Sequence, residues 1–206
     1  MAKVKLIWIT PNCEQIIGDC ARVSSPQNQG KDSKKLVEYL LAHGHFSPLE
    51  MASACFEIET TRDIARQILR HRSFSFQEFS QRYADVSAIQ DEYIYREARL
   101  QDAKNRQNSI ENTDEELQSW FDYQVHSIQY AARQIYEEAL KRGIAKEQAR
   151  CVLPEGLTMS RLYMTGNIRS WKHYVDLRGG NGTQKEHQLI AQAIGEQLKE
   201  QLPNLF

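Results

Sequence analysis

The order of apolar patterns along this chain predicts an α+β fold built as a single domain over residues 1–206. Three observations carry that expectation. Strand-like and helix-like patterns follow one another without the regular βα alternation of a doubly wound sheet. The 206 residues, 41% apolar, supply one sizeable core and would leave two cramped. No repeat with a period of roughly 20–50 residues, low-complexity tract or linker divides the chain.

The elements read in order as follows. Val4, Leu6 and Trp8 alternate with polar or outward positions, which predicts a first strand with all three facing inward. "CEQIIGDCARV" and "SKKLVEYLLAHG" carry apolar residues at helical spacing, the second opening after Asp32-Ser33 and closing at Gly44. Residues 52–60 alternate as a strand. A helix over 62–70 sets Ile64, Ala65, Ile68 and Leu69 on one face and Arg62, Arg66 and Arg70 on the other. From Glu78 the chain again alternates, with Phe79, Gln81 and Tyr83 one way and Glu78, Ser80 and Arg82 the other, which predicts a strand face bearing an acid, a hydroxyl and a guanidinium in a row. Residues 84–113 are polar and poor in core candidates, a peripheral or mobile excursion before a long helix over 114–142. A short helix through Gln148 stops at Pro154. "LTMSRLYMTG" then reads as a strand, "NIRSWKHYVDLR" as a helix and "QKEHQLIAQAIGEQLKEQL" as the closing helix.

Charge narrows the function. A net charge of −1 and a pI near 6.6 offer no general field for a long polyanion, so any anion site must be local. The first ten residues hold too short an apolar run for a signal peptide or spanning helix, which places the protein in the cytoplasm and off the membrane. Cys13, Cys20, Cys55 and Cys151 form no C-x-x-C pair and are expected as buried thiols; neither they nor the scattered histidines and acids have metal-ligand spacing. "GGNG" at 179–182 lacks the Lys-Ser/Thr of a phosphate loop, and no G-x-G-x-x-G follows a strand.

The local anion site is in "ARQILRHRSFSFQEFSQRY", residues 65–83, where Arg66, Arg70, Arg72 and Arg82 occur without a lysine. Arginine favours planar, two-pronged anion binding over simple attraction. Arg82 and Ser80 are the donors a phosphate monoester wants, and Glu78 can accept from ribose hydroxyls or a ring N–H. Taken singly, each arginine has the ordinary reading of a solvated helix face. Their joint spacing is more specific: Arg70-His71-Arg72, seven residues, Ser80, one residue, Arg82.

That pattern resembles the signature of the flavin-dependent thymidylate synthases, which methylate dUMP using 5,10-methylenetetrahydrofolate, NADPH and FAD in dTMP biosynthesis. "HGHFSPLE", "ARCVLPEGLT", "TGNIRSWKHYVDLR" and a trailing Q-x-E extend the resemblance over most of the chain. It implies a central, mostly antiparallel sheet with flanking helices, assembled as a homotetramer whose active sites draw on several subunits. By the same resemblance His45, Ser47, Arg70, His71 and Arg72 contact FAD, with Glu78, Asn167, Arg169 and His173. Gln67, Arg70, Glu78, Ser80 and Arg82 surround dUMP, with Arg150 and Arg178. Arg169 and His173 lie one helical turn apart and Asn167 and Arg178 three, so one helix can serve both ligands. The chain departs from the family pattern at Met51 and Gly182, where many members carry histidines, and those flavin contacts are not carried over; some relatives have asparagine in place of His173.

The resemblance also assigns the chemistry. The uracil N3/O2 edge must lose a proton or gain negative charge, and Arg178 is the residue that stabilises that state. No enzyme cysteine is needed, although Arg150 beside Cys151 would favour a thiolate. Ser80 has no histidine placed to deprotonate it and reads as a phosphate donor. His71, between two guanidiniums, is biased toward neutrality, its protonation left open. His43, His126 and His187 take surface or packing roles. Two rival readings keep the same residues in use: a nucleic-acid-binding module with Phe74, Phe76 and Phe79 stacking on bases, and a flavoprotein that oxidises NADPH without methyl transfer.

Overall fold

A computed structural model describes residues 2–90 and 92–206. Its frame is one four-stranded sheet, all antiparallel, in the order β1-β2-β6-β3, formed by β1 (Lys3–Ile9), β2 (Ser53–Thr61), β3 (Ser75–Glu78) and β6 (Met159–Asn167). Helices α1 (Cys13–Ala21), α2 (Lys34–Ala42), α3 (Arg62–Ile68), α6 (Ile168–Arg178) and α7 (Lys185–Gln201) accompany it. This is the expected α+β class. The long α4 (Glu115–Lys141) and short α5 (Lys146–Ala149) complete the helices, and a two-stranded ribbon pairs β4 (Leu100–Gln101) with β5 (Ser109–Ile110).

Period-two alternation decides which sheet face meets the helices. Phe56 and Ile58 on β2 and Leu162 and Met164 on β6 are fully buried. Trp171 of α6 packs edge-on against Phe56 at 4.9 Å and donates its indole N–H to Ala54 O at 3.1 Å, satisfying the one polar atom of a fully buried ring. The opposite face carries Lys3, Glu59, Arg161, Glu57 and Tyr163, joined by cross-strand ion pairs and a Tyr163–Glu57 hydrogen bond. In β1 a register shift between Leu6 and Trp8 reverses the alternation. Val4, Leu6 and Ile9 pack on the core, and Trp8, expected inward, is 45% exposed.

Two glycines are required where they stand. Gly44 closes α2 with φ +68°, a conformation that other residues enter with strain. Gly166 on β6 lies under the Phe74 ring, and a Cβ there would fall 2.4 Å from Phe74 Cδ1.

Within the expected excursion, residues 93–98 lie against α4 and are tied to it. Gln129 Oε1 accepts from Ile94 N–H and Gln118 Oε1 from Ala98 N–H, each at 2.8 Å. Arg96 binds both oxygens of Asp63 and the carbonyl of Gly156. The cysteine expectation is half corrected: Cys13 and Cys55 are buried, with burial raising the Cys13 thiol to about 12, but Cys20 and Cys151 are exposed. Among the described residues no helix is long and apolar enough to cross a membrane, and no three His, Cys, Asp or Glu side chains cluster as metal ligands.

Candidate active site

α3 stops at Ile68, two residues before the arginine motif. A turn follows, with His71 N–H donating to Ile68 O at 3.1 Å and Phe74 N–H to His71 O at 3.3 Å. It leaves Arg70 and Arg72 exposed and drives Phe74 into the core against Trp171, 4.6 Å between ring centres. Buried there, Phe74 is not available to stack on a nucleic-acid base.

His71 meets the end of α6. Arg178, the last residue of that helix, donates from Nε to His71 Nε2 at 3.0 Å. Burial, then the Arg178 guanidinium and nearby His173, lower the His71 pKa to about 4. The ring is therefore neutral at pH 7, with Nε2 accepting from Arg178 and the proton on Nδ1. Behind it the Tyr174 hydroxyl and His187 Nε2 are 2.9 Å apart. His187 is fully buried and also lowered to about 4, by burial first and then by Arg178 and His71. Burial pushes the Tyr174 hydroxyl up, so it stays protonated and donates to the imidazole. Gln67 of α3 completes the group: its Oε1 faces His187 Nδ1 at 3.4 Å, and its Nε2 donates to Gln184 Oε1 at 2.7 Å.

Arg82 and Arg150 form a second group. β3 ends at Glu78, its last sheet bond running from Phe79 N–H to Arg161 O, and the chain then turns: Tyr83 N–H and Ala84 N–H both donate to Ser80 O at 3.1 Å. The strand expected from Glu78 onward is therefore a turn: β3 begins earlier, at Ser75, its pairing with β6 ends at Glu78 opposite Leu162, and past Phe79 the chain folds back on Ser80 O. Gln81 and Tyr83, expected on one face, part company: Gln81 is buried and Tyr83 is 82% exposed. The turn docks on α5, where Lys146 Nζ donates to Tyr83 O at 3.2 Å. Arg82 Nε pairs with Glu147 Oε2 at 3.3 Å, and Arg150 Nε reaches Glu147 O at 3.4 Å, so both arginines lie against one residue. Glu78 does not share a face with Ser80 and Arg82; it accepts from Ser160 Oγ at 2.8 Å and lies 3.7 Å from Arg62, whose guanidinium is thereby drawn off the solvated face where it was expected.

The third group surrounds the N-terminus of α6. Asn167 caps the helix, its Oδ1 accepting from Ser170 N–H at 2.8 Å, which leaves the amide N–H groups free. Arg169 is exposed and paired with Glu50 in the short turn Ser47–Met51 that packs on α6, and His45 precedes that turn. His173 lies one turn further along, also exposed. About 16 Å of helix separates Asn167 from Arg178.

Most of the expected site residues thus fall into three exposed or half-buried groups, with Glu78 apart beside Ser160 and Arg62, and none lines the cleft of about 320 Å³ between α4, Val86, Gln90, Tyr93 and Leu157. Sequence reasoning gave His187 a packing role, noted Gln184 and Glu186 only as the trailing Q-x-E motif without a role, and passed over Tyr174 and Arg99. The available signal was a histidine at position 187 on the apolar stripe of Ile190, Ala191 and Ile194, beside the Q-x-E motif. His43 and His126 do sit beside aromatic rings, Tyr39 at 3.9 Å and Tyr93 at 4.1 Å.

Residues 5–204 match the family described as "Thymidylate synthase complementing protein". A flavin-dependent thymidylate synthase of Synechocystis is 48% identical over 192 residues, covering 93% of this chain and 87% of the relative. The chain belongs to the flavin-dependent thymidylate synthase family. A probable flavin-dependent thymidylate synthase of Paramecium bursaria Chlorella virus 1 is 44% identical over 194 residues, with 93% and 88% covered. Among solved structures, the UMP/dUMP methylase PolB from Streptomyces cacaoi bound with 5-Br UMP superposes with TM-score 0.82 at 25% identity, covering 100% of this chain and 92% of that one. Family membership gives the three groups their context: an enzyme of this family works with a flavin.

Proposed function

We propose that this protein converts dUMP to dTMP in the cytoplasm, with 5,10-methylenetetrahydrofolate as the one-carbon donor and NADPH as the reductant, acting through FAD as a homotetramer. The observation that carries the reading is the Arg178–His71 contact, which joins the arginine signature to the last residue of the TGNIRSWKHYVDLR block, 107 residues further on. It sets a donor-only guanidinium beside a neutral imidazole, a setting suited to an electron-rich pyrimidine edge.

The donor set fits a flavin dinucleotide. Arg70, Arg72 and Arg169 are exposed cations suited to its pyrophosphate; Arg70 and Arg72 flank His71 at the C-terminal end of α6, and Arg169, the Asn167 amide, Ser47 and His45 lie around its N-terminal end. Bound FAD supplies the hydride that the methyl group requires. The chain's own residues bind and orient. Arg82, Arg150 and Ser80 take the substrate phosphate, with Glu147 giving up its hold on Arg82. Glu78 accepts from the nucleoside or flavin, and Gln67 and Arg70 flank the base. Arg178 stabilises negative charge on the pyrimidine, and His71 holds the Arg178 Nε so that the outer nitrogens face the substrate.

Assembly is supported by what a single subunit leaves open. Arg70, Arg72, Arg82, Arg169 and His173 are exposed, and α4 exposes Trp120, Tyr123, Ile128, Tyr130 and Ile135, each more than half exposed. Apolar faces of that length are ordinarily covered by another chain. The test is a FAD titration, light scattering for a tetramer, and dTMP formation from dUMP. Tight FAD binding and NADPH oxidation without dTMP would replace this reading with the oxidase, and an active monomer would remove the shared-site argument.

A further inference from the structure

The Gln67 side chain is held by a line of hydrogen bonds that leads away from the substrate. Gln67 Nε2 donates to Gln184 Oε1 at 2.7 Å, and Gln184 Nε2 donates to Glu186 Oε2 at 2.9 Å. Arg99, from the segment beside α4, holds both oxygens of Glu186 at 2.7 and 2.8 Å. Burial works against the charge on Glu186, but hydrogen bonds from Arg99, the backbone and Gln184 outweigh it and keep the carboxyl ionised.

The direction of this line is forced from its charged end. An ionised carboxylate only accepts, so Gln184 must turn its NH2 toward Glu186 and its oxygen toward Gln67. Gln67 must then turn its own NH2 toward Gln184 and its oxygen toward His187. Elsewhere a glutamine amide reverses at little cost. Here reversal of either amide sets N–H against N–H or oxygen against oxygen at hydrogen-bond distance in a half-buried site.

We propose that Gln184 and Glu186 are positioning residues that make Gln67 a one-way reader of the pyrimidine edge, selecting uracil over cytosine. The proposal rests on the reading of Gln67 as a substrate contact. Uracil presents an N3–H donor between two carbonyl acceptors, whereas cytosine presents an N3 acceptor and an amino donor. A pinned amide keeps one N–H and one oxygen lone pair in fixed order, which suits one of these edges. A free amide turns over and serves either. The Arg178 guanidinium, held by His71, is donor-only and favours the carbonyl-rich edge in the same sense.

Calorimetric binding of dUMP and of dCMP to the FAD-loaded protein tests this on the parent, Gln67→Ala, Gln184→Ala and Glu186→Gln. The parent should prefer dUMP. Both relay variants should lose about tenfold of that preference, with FAD affinity close to the parent's; Gln184→Ala should keep the parent's melting temperature, whereas Glu186→Gln should lower it by weakening the Arg99 pair. Gln67→Ala should bind dUMP more weakly. If it binds dUMP as the parent does, the substrate reading of Gln67 fails and the proposal with it. If Gln67→Ala is weakened while the relay variants keep the parent preference, the relay is overturned and the substrate reading stands. Should Glu186→Gln not fold, Gln184→Ala decides alone, since Gln184 is half-exposed and precedes α7.

Discussion

Replacing Arg178 separates binding from chemistry at this site. An arginine carries five N–H donors, and the structure commits one, Nε–H, to His71 Nε2 at 3.0 Å. The N–H groups on the two outer nitrogens remain for the pyrimidine. A unit charge about 4 Å from a developing negative charge is worth about 4 kcal/mol at an effective dielectric constant near 20. Loss of an oxyanion-type donor costs about 3 to 4 kcal/mol, or on the order of 10² to 10³ in kcat. Arg178→Ala should therefore lower kcat by that factor, measured as dTMP formation at saturating dUMP, folate, NADPH and FAD. Arg178→Lys should stay substantially impaired, because one ammonium cannot hold His71 and also present a planar fork to the base. The same variant has a second readout. Removing the guanidinium relieves like-charge repulsion, so His71 and His187 should titrate above their parent value of about 4 yet below 6.5, since burial, the larger cause, remains. Histidine NMR titration measures it. Parent turnover by Arg178→Ala once dUMP saturates would refute the charge-stabilising role, and an unmoved His71 titration would refute the contact itself.

Arg82→Ala should chiefly raise the KM for dUMP, since phosphate binding is similar in ground and transition states; its pair with Glu147 is exposed on both sides, so the melting temperature should barely move. Cys151→Ala and Ser80→Ala should both keep measurable turnover, the second with weaker dUMP binding; a folded, FAD-bound Cys151→Ala protein with no turnover would favour thiol catalysis. Stability should fall as pH drops from about 6.5 toward 4, because the unfolded chain protonates His71 and His187 while the folded one keeps them neutral; denaturant midpoints across that range measure it, and a flat profile would contradict the buried, neutral assignment. Gly166→Ala should destabilise by about 1 to 3 kcal/mol through displacement of Phe74, read as a lower thermal midpoint.

Local pattern determined much of this protein. Hydrophobic period alone placed β1, β2 and β6 and helices α1, α2, α6 and α7 within a few residues, since each presents a single apolar face to one core. The arginine signature was legible as an anion site, and family resemblance assigned its residues to two ligands. What depends on partners distant in sequence was decided only by the tertiary structure. β3 pairs with β6 from Ser75 opposite Thr165 to Glu78 opposite Leu162, and the chain then turns on Ser80 O, which separates Glu78 from Ser80 and Arg82. Trp8 faces outward because one bulge reverses an otherwise faithful alternation. Cys20 carries no mark in its local pattern to distinguish it from buried Cys13. The neutral state of His71 follows from burial and from Arg178, which is 107 residues away in sequence, and the orientation of Gln67 follows from a carboxylate that only the packing of α7 brings near. Periodicity records which side of an element is apolar; the field and hydrogen bonds at one atom are set by whatever the finished fold places within a few ångströms of it.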